Sequence, residues 1–345
     1  MVGTLSESAL PTASLDAAPE APGADPVPDL LTVLLVSYNT RDLLDPCLEA
    51  VARARLHGGP ISGPDIVVDN ASRDGSADYL ASHHPDVRLI RSDKNLGFGR
   101  ANNLALPISS RYLLLLNTDA FVPDDAFSKT IAFMEAHPKC GILGVRLVGR
   151  DGDLQPSCRY FPTPLNTFLS RTGLARWLPG VRLVDDMQWD HQSVRSCDWV
   201  PGCFYLLRRE LVEQVGLFDP LYFLYFEEVD HCLASKRHGW DVTYFSDVSV
   251  VHIGGESARS LGKLAEGSRQ VEVLQIEASM LYFRKNHGVG GALASFLLTE
   301  LADLLLIAKA LVRRQGAGVL AYHWGRMRAV CRLAFATRLG ARPIH

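Results

Sequence analysis

An apolar wall runs straight into carboxylates at Tyr222-Phe223-Leu224-Tyr225-Phe226-Glu227-Glu228, and Asp230 follows. A carboxylate beside aromatic side chains loses part of its hydration, so its pKa rises towards a value useful to a general base. Glu227, Glu228 and Asp230 would raise one another further if they share a site. The same string also suits a helix start, where acidic residues in the first turn favour the dipole. Other polar clusters, Ser37-Tyr38-Asn39, Asp69-Asn70-Ala71-Ser72, Asp93-Lys94-Asn95 and Asn117-Thr118-Asp119, offer the hydroxyls, amides and carboxylates that a polar ligand needs.

Each of these clusters directly follows a short apolar run: Leu30–Val36, Ile66–Val68, Val87–Ile90 and Tyr112–Leu116. Stretches such as Thr40–Arg55 and Phe98–Pro107 are long enough for crossover helices. Short apolar runs alternating with helical segments predict βαβ units, an α/β class and a parallel sheet. In such sheets ligands bind beyond the carboxyl ends of the strands. All four clusters are therefore predicted to meet at one sheet edge. A hairpin-like turn at Gly149-Arg150-Asp151-Gly152-Asp153 separates Ile142–Val148 from Gln155–Phe161. From Pro162 to about Gln192 the pattern is irregular, which predicts a long functional loop with little regular structure. Regular patterning returns from Trp199 to His252.

The chain has 345 residues and a net charge of −3, which speaks against a globally basic nucleic-acid binder. Its 7 cysteines are scattered without a CxxC pair, predicting reduced, packed thiols in a cytoplasmic protein. The stretch from Met1 to Asp29 is rich in Ala, Pro, Ser and Asp and lacks both the basic start and the apolar core of a signal peptide. Such a composition cannot offset its ordering entropy, so residues 1–29 read as a disordered leader.

Several strings resemble a known family. They are Val36-Ser37-Tyr38-Asn39, Val68-Asp69-Asn70-Ala71-Ser72-Arg73-Asp74-Gly75-Ser76, Asn95-Leu96-Gly97-Phe98-Gly99 with Asn102-Asn103, and Leu116-Asn117-Thr118-Asp119-Ala120. Phe161-Pro162-Thr163-Pro164, Asp198-Trp199-Val200-Pro201-Gly202, Phe226-Glu227-Glu228-Val229-Asp230, Gly239-Trp240 and Val251-His252 extend the set. Their order and spacing resemble the family 2 glycosyltransferases of the GT-A fold, and most nearly the rhamnosyltransferase-like branch that builds bacterial polysaccharides of the cell envelope. The resemblance covers about Leu30 to Gly288. It implies a Rossmann-like mixed sheet flanked by helices over residues 30–288, followed by a helical appendage over residues 289–345.

The resemblance also assigns roles. Ser37, Tyr38, Asn39, Asp69, Asn70, Ser72, Asn95, Gly97, Arg100, Asn102, Asn117, Thr118 and Asp119 would bind a nucleotide-sugar donor. Asp69 could accept from a pyrimidine N3–H, or Asp69-Asn70 could simply form an Asx turn. Gly97 and Gly99 allow close backbone approach, but Asn102 stands where a dinucleotide fingerprint needs another glycine. Arg100 reads equally as a donor contact or a solvated helix residue. The family's Asp-x-Asp motif is here Asn117-Thr118-Asp119. Asp119 and His252 would then hold a divalent metal, Mg²⁺ or Mn²⁺, together with diphosphate oxygens and waters. Without the resemblance, His252 would read as a packed or surface histidine. Trp199 and Gly202 would contact the acceptor, a glycan or lipid-linked glycan. Glu228 would be the base of a single, inverting displacement, with Glu227 and Asp230 as orienting neighbours.

The end of the chain differs in character. Val289–Val312 is apolar but carries Glu300, Asp303 and Lys309, which makes it a poor spanning helix. No acidic residue follows Asp303, while Lys309, Arg313, Arg314, Arg326, Arg328, Arg332, Arg338 and Arg342 do. Basic and apolar residues together suggest helices on an anionic membrane surface, separable from the donor chemistry. A packing appendage or an oligomer contact is the other reading. The expectation is a cytoplasmic, peripherally membrane-associated inverting glycosyltransferase, and the resemblance implies L-rhamnose from a dTDP donor as the sugar. A nucleotidyltransferase acting on sugar phosphates and a non-catalytic glycan-binding protein are the alternatives.

Overall fold

The computed structural model describes residues 29–178, 180–254 and 264–344. Nearly all of the expected leader lies outside the described residues. The apolar runs form the parallel strands β1 (Leu31–Ser37), β2 (Asp65–Asp69), β3 (Arg88–Arg91) and β4 (Tyr112–Asn117). Register fixes the consequence: Ser37 pairs with Asp69, Asp69 with Arg91, and Val36 with Asn117. The polar residues that follow must therefore leave the sheet at one edge.

The remaining strands are β5 (Ala120–Phe121), β6 (Cys140–Val148), β7 (Leu154–Gln155), β8 (Arg195–Ser196), β9 (Phe204–Arg208) and β10 (Asp241–His252). All join one sheet of order β3-β2-β1-β4-β9-β6-β10-β5, with β7 on β6 and β8 on β10. β9 lies antiparallel between β4 and β6, so the sheet is mixed. The antiparallel pairing of β5 with β10 sets His252 opposite Ala120, beside Asp119.

Period-2 alternation splits the strands between two cores. Tyr112, Leu114 and Leu116 pack with helices α1 (Arg41–Leu56), α2 (Ser76–His83) and α4 (Ala126–Ala136). Leu113 and Leu115 face the opposite side, with α3 (Phe98–Asn103), α6 (Arg209–Val215) and α7 (Glu227–Arg237). Each such leucine, fully buried, contributes roughly 1.5–3 kcal/mol. Six cysteines are buried with these cores, and Cys331 alone of the seven is exposed.

The irregular stretch after Pro162 holds more structure than its prolines suggested. Thr163 accepts from the Asn166 amide, and Asn166 returns the bond in a capping box. Pro164 sits in the first turn, where its missing N–H costs nothing, and α5 (Pro164–Thr172) follows with a 3₁₀ turn at Leu174–Trp177.

Helices α8 (Leu264–Val312) and α9 (Ala317–Ala336) end the chain. By length and composition Gln270–Val312 is able to cross a membrane. Its first part is instead packed in the domain core through Ala278, Leu281, Tyr282 and Phe283, and the helix breaks at Gly288, where φ is 68°. The appendage is anchored by a fully buried carboxylate. Asp303 receives Arg171 of α5, His323 at 2.9 Å and Arg326 at 2.6 Å, and Arg326 also holds Glu272 at 2.6 Å. Removing one partner of such a network strands the others, at a cost of about 3–5 kcal/mol. Asp303→Ala is expected to lower the unfolding free energy in urea by that amount. A loss below ~1 kcal/mol would show that the network does not hold the appendage.

Candidate active site

At the common strand edge lies a cavity of about 310 Å³. Its floor is the end of β4, where Asn117, Thr118 and the buried Asp119 line the wall. The Asp119 carbonyl accepts from the Ile253 amide at 3.0 Å, and its Oδ1 lies 3.5 Å from His252 Nε2. Gln155 fixes the imidazole from behind. Its Oε1 is 2.9 Å from His252 Nδ1, and its Nε2 donates to the His252 carbonyl at 2.8 Å. With Nδ1 so engaged, Nε2 turns towards Asp119 and the cavity. Thr118 Oγ1 donates to Thr40 Oγ1 at 3.1 Å, which ties this loop to the start of α1.

The β2 end is organised by side-chain amides. Asn70 donates to Asn95 Oδ1 and to the Gly97 carbonyl at 3.0 and 3.1 Å, and accepts from the Leu96 amide at 2.8 Å. Asp69 Oδ2 accepts from the Ser72 amide, the expected Asx turn, while Asp69 Oδ1 is buried without a protein partner. A buried carboxylate oxygen in that state is ready to accept from a ligand N–H. The Asx turn is thus observed, and Asp69 itself is not among the residues lining the cavity.

Across the cavity stands the aromatic wall. Tyr225 and Phe226 take φ of 72° and 67°, a left-handed pair unusual for such bulky residues. Strain of this kind costs on the order of 1–3 kcal/mol per residue and clusters at ligand sites. It turns the chain so that α7 begins at Glu227 with Glu227 and Glu228 both on the cavity wall. The helix-start reading is thus realised, and the same turn brings two carboxyls to the cavity wall. Burial, then the neighbouring Glu228, pushes the Glu227 carboxyl well above the usual range. Burial also raises Glu228, opposed by its own amide, by Arg159 and by the Gly202 amide. Each glutamate keeps a buried Oε2 without a protein partner.

Among the other expected residues, Tyr38, Asn95, Gly97 and Gly202 line this cavity. Ser37, Asn39, Ser72, Arg100 and Asn102 stand behind its wall. Ser37 meets Thr40, the Asn39 amide donates to Ser72, and Asn102 donates to the Phe98 carbonyl within α3. Arg100 reaches the Pro220 carbonyl at 2.8 Å. Asp230 faces away, bound by Lys285 at 2.5 Å and Asn286 at 2.6 Å, and so ties α7 to α8. Trp199 lines a second, adjoining cavity, whose wall also includes Tyr225 and Glu228. Gln155 carried no sequence signal, because a glutamine in a two-residue strand has no distinguishing pattern.

The model of glycosyl transferase family 2 matches residues 32–216, more than half of the chain. The protein belongs to this family. An N-acetylglucosaminyl-diphospho-decaprenol L-rhamnosyltransferase of Mycobacterium tuberculosis is 27% identical over 255 residues, 68% of this chain and 78% of the relative. Rhamnosyltransferase WbbL of Escherichia coli is 27% identical over 242 residues, 67% of this chain and 86% of the relative. A mannosyltransferase of Pyrobaculum calidifontis, solved with GDP-Man and Mn²⁺, shares the fold: the TM-score is 0.53 at 18% identity, covering 91% of this chain and 88% of the other. The expected GT-A-type fold and rhamnosyltransferase-like branch therefore stand. The protein is a glycosyltransferase that uses nucleotide-sugar donors, which decides against nucleotidyl transfer and against mere glycan binding.

One backbone contact holds the two sides of the cavity together. The Phe98 amide donates to the Phe223 carbonyl at 3.0 Å. Gly97 lies beneath it with φ of 80°, and a Cβ there would fall 1.8 Å from the Phe223 oxygen. Gly97→Ala is expected to lose more than about 1 kcal/mol of stability, since both the φ and the contact exclude a side chain. An unchanged melting temperature for that variant would disprove the contact.

Proposed function

We propose that the enzyme transfers L-rhamnose from a dTDP-linked donor to a hydroxyl of a lipid-linked glycan, with inversion, at the cytoplasmic face of a membrane. The observation that carries the reaction is that Glu228, Asp119 and His252 line one cavity. Asp69 supports a pyrimidine base, because its unpartnered oxygen suits an N3–H donor. The two rhamnosyltransferase relatives support the sugar, and the printed acceptor of the mycobacterial one supports a lipid-linked glycan. Exposed Leu297, Leu301, Trp324 and Phe335 on the two final helices support the membrane contact.

Asp119 and His252 fit a divalent cation: a carboxylate oxygen and an oriented imidazole nitrogen converge on the cavity, leaving positions for diphosphate oxygens and water. Among the described residues no cluster of three or more His, Cys, Asp or Glu side chains gathers. When bound, Mg²⁺ or Mn²⁺ would act as a Lewis acid, neutralising charge on the departing diphosphate. Glu228 takes the acceptor's hydroxyl proton as that oxygen attacks the anomeric carbon. Its raised pKa brings its basicity nearer to that task, and burial together with the neighbouring Glu228 pushes the Glu227 carboxyl up beside it.

Glu228→Gln keeps shape and cannot take a proton, so kcat is expected to fall roughly 10²–10⁴-fold with dTDP affinity unchanged. Because the base must be ionised to act, the wild-type rate should fall on the acid side, with a midpoint above the ordinary glutamate range. A larger loss in Glu227→Gln would move the base to that residue.

Asp119→Ala should abolish metal-dependent donor binding in calorimetry. Gln155→Leu should weaken Mn²⁺ affinity about 10–100-fold, as measured by electron paramagnetic resonance in the presence of dTDP. Near-wild-type Mn²⁺ binding in both variants would place the metal elsewhere.

A further inference from the structure

We propose that residues 337–344 form a positioning element of the reaction centre, a clasp that braces from outside the wall carrying Glu227 and Glu228. The effect on the reaction rests on the transferase reading above; the clasp itself does not. The wall creates the need for it. Tyr225 and Phe226 both hold left-handed backbone, and such residues keep it only where the surroundings over-determine it. On the cavity side the wall is tied by the backbone bond from the Phe98 amide to the Phe223 carbonyl. A bond of that kind is worth less than the strain of the two residues together. Further support has to come from behind.

Behind the wall lies α8. The Phe226 ring meets Tyr282 with centroids 5.3 Å apart. Leu221, Phe223 and Leu224 close a small apolar pocket with Leu274, Ala278 and Leu281 of the helix, and Pro343 completes it. Phe223 and Leu224 also line the cavity that Asp119 and Glu228 share. One layer of side chains therefore separates Pro343 from the reacting groups.

The local sequence is built to bring Pro343 there. Thr337 caps α9: its Oγ1 donates to the Leu333 carbonyl at 2.7 Å and accepts from the Gly340 amide at 2.9 Å. Arg338, Leu339 and Gly340 then take φ of 51°, 53° and 76°, three left-handed residues that reverse the chain. Gly340 is pressed onto α8, where a Cβ would fall 2.2 Å from the Met280 carbonyl oxygen. Leu339 packs on the same core as Tyr225 and Phe226. The Arg342 amide returns to the Thr337 carbonyl at 3.1 Å, and the Ile344 amide donates to Glu277 Oε1 of α8 at 2.6 Å. Glu277 is only 4% exposed, so little water competes for this anchor. Gly340 and Ile344 thus pin the clasp to α8, with Pro343 between them and against the wall.

The test uses the full chain and three variants. Ile344→Pro deletes the amide that Glu277 accepts, at a side chain already 47% exposed, and Ile344→Val keeps that amide. Gly340→Val lifts the clasp off Met280. Hydrogen exchange resolved to single amides reads the wall through Phe98, with Val33 in the sheet as reference. In Ile344→Pro and Gly340→Val the Phe98 amide should exchange at least about tenfold faster, while Val33 stays within about twofold. The kcat for dTDP release from dTDP-rhamnose should fall about tenfold or more with KM within about threefold, because the base is misplaced and the nucleotide is not. Ile344→Val should match wild type in every readout. Unchanged Phe98 exchange in both disruptive variants would overturn the clasp, and so would a Val33 amide accelerated as much as Phe98. Faster Phe98 exchange with unchanged kcat would overturn the positioning role. If wild-type protein releases no dTDP while Phe98 exchange still accelerates in the variants, the clasp is supported and the transferase reading fails.

Discussion

The carbonyl of Phe223, held by the Phe98 amide above a glycine, joins two parts of the chain that have no covalent reason to meet. On one side is the carboxyl edge of the sheet; on the other is the wall that leads to the paired glutamates. The contact is a single hydrogen bond, worth about 1 kcal/mol by itself. Its importance is geometric. It fixes where residues 223–226 begin their left-handed turn, and that turn decides which way α7 points its first two side chains. The Asn103 side chain reinforces the arrangement, donating to the Phe218 carbonyl at 2.7 Å and accepting from the Phe218 amide at 3.1 Å.

Electrostatics then act within that frame. Two adjacent carboxyls removed from water cannot both ionise cheaply, so their titrations belong to the pair. The environment separates them. Desolvation raises both and amide donors oppose it in both, but only Glu228 has the Arg159 guanidinium to hold its charge, whereas Glu227 has Glu228 against it. Asp230 is removed from the competition altogether, because Lys285 and Asn286 of α8 take its carboxylate. One acidic string thus yields three different carboxyls.

The sheet, its carboxyl edge, Asp119 and the Glu227–Glu228 pair were legible because each is written locally: an apolar run and the residue that ends it. What escaped depends on partners far along the chain. Arg100 reaches a carbonyl 120 residues away, and Gln155 grips a histidine 97 residues away. No local pattern encodes such directions. Pro164 falls in the stretch whose pattern is irregular, although at a helix start it is an asset. The basic tail was read as one population, but Arg326 lies within a buried ion-pair network while Arg328 and Arg332 face outward. Composition registers charge; burial decides what each charge does.

The uneven placement of the cysteines has a practical consequence. Burial pushes the Cys203 and Cys232 thiols up to about 12, and Cys47, Cys140, Cys158 and Cys197 are likewise enclosed by the cores. Maleimide chemistry on the folded protein is thereby directed to Cys331, on α9, without any engineered residue. A fluorophore or spin label at that thiol would ride on the hairpin beside the exposed leucines. The native sequence therefore carries its own depth gauge for the helices that would meet a lipid surface.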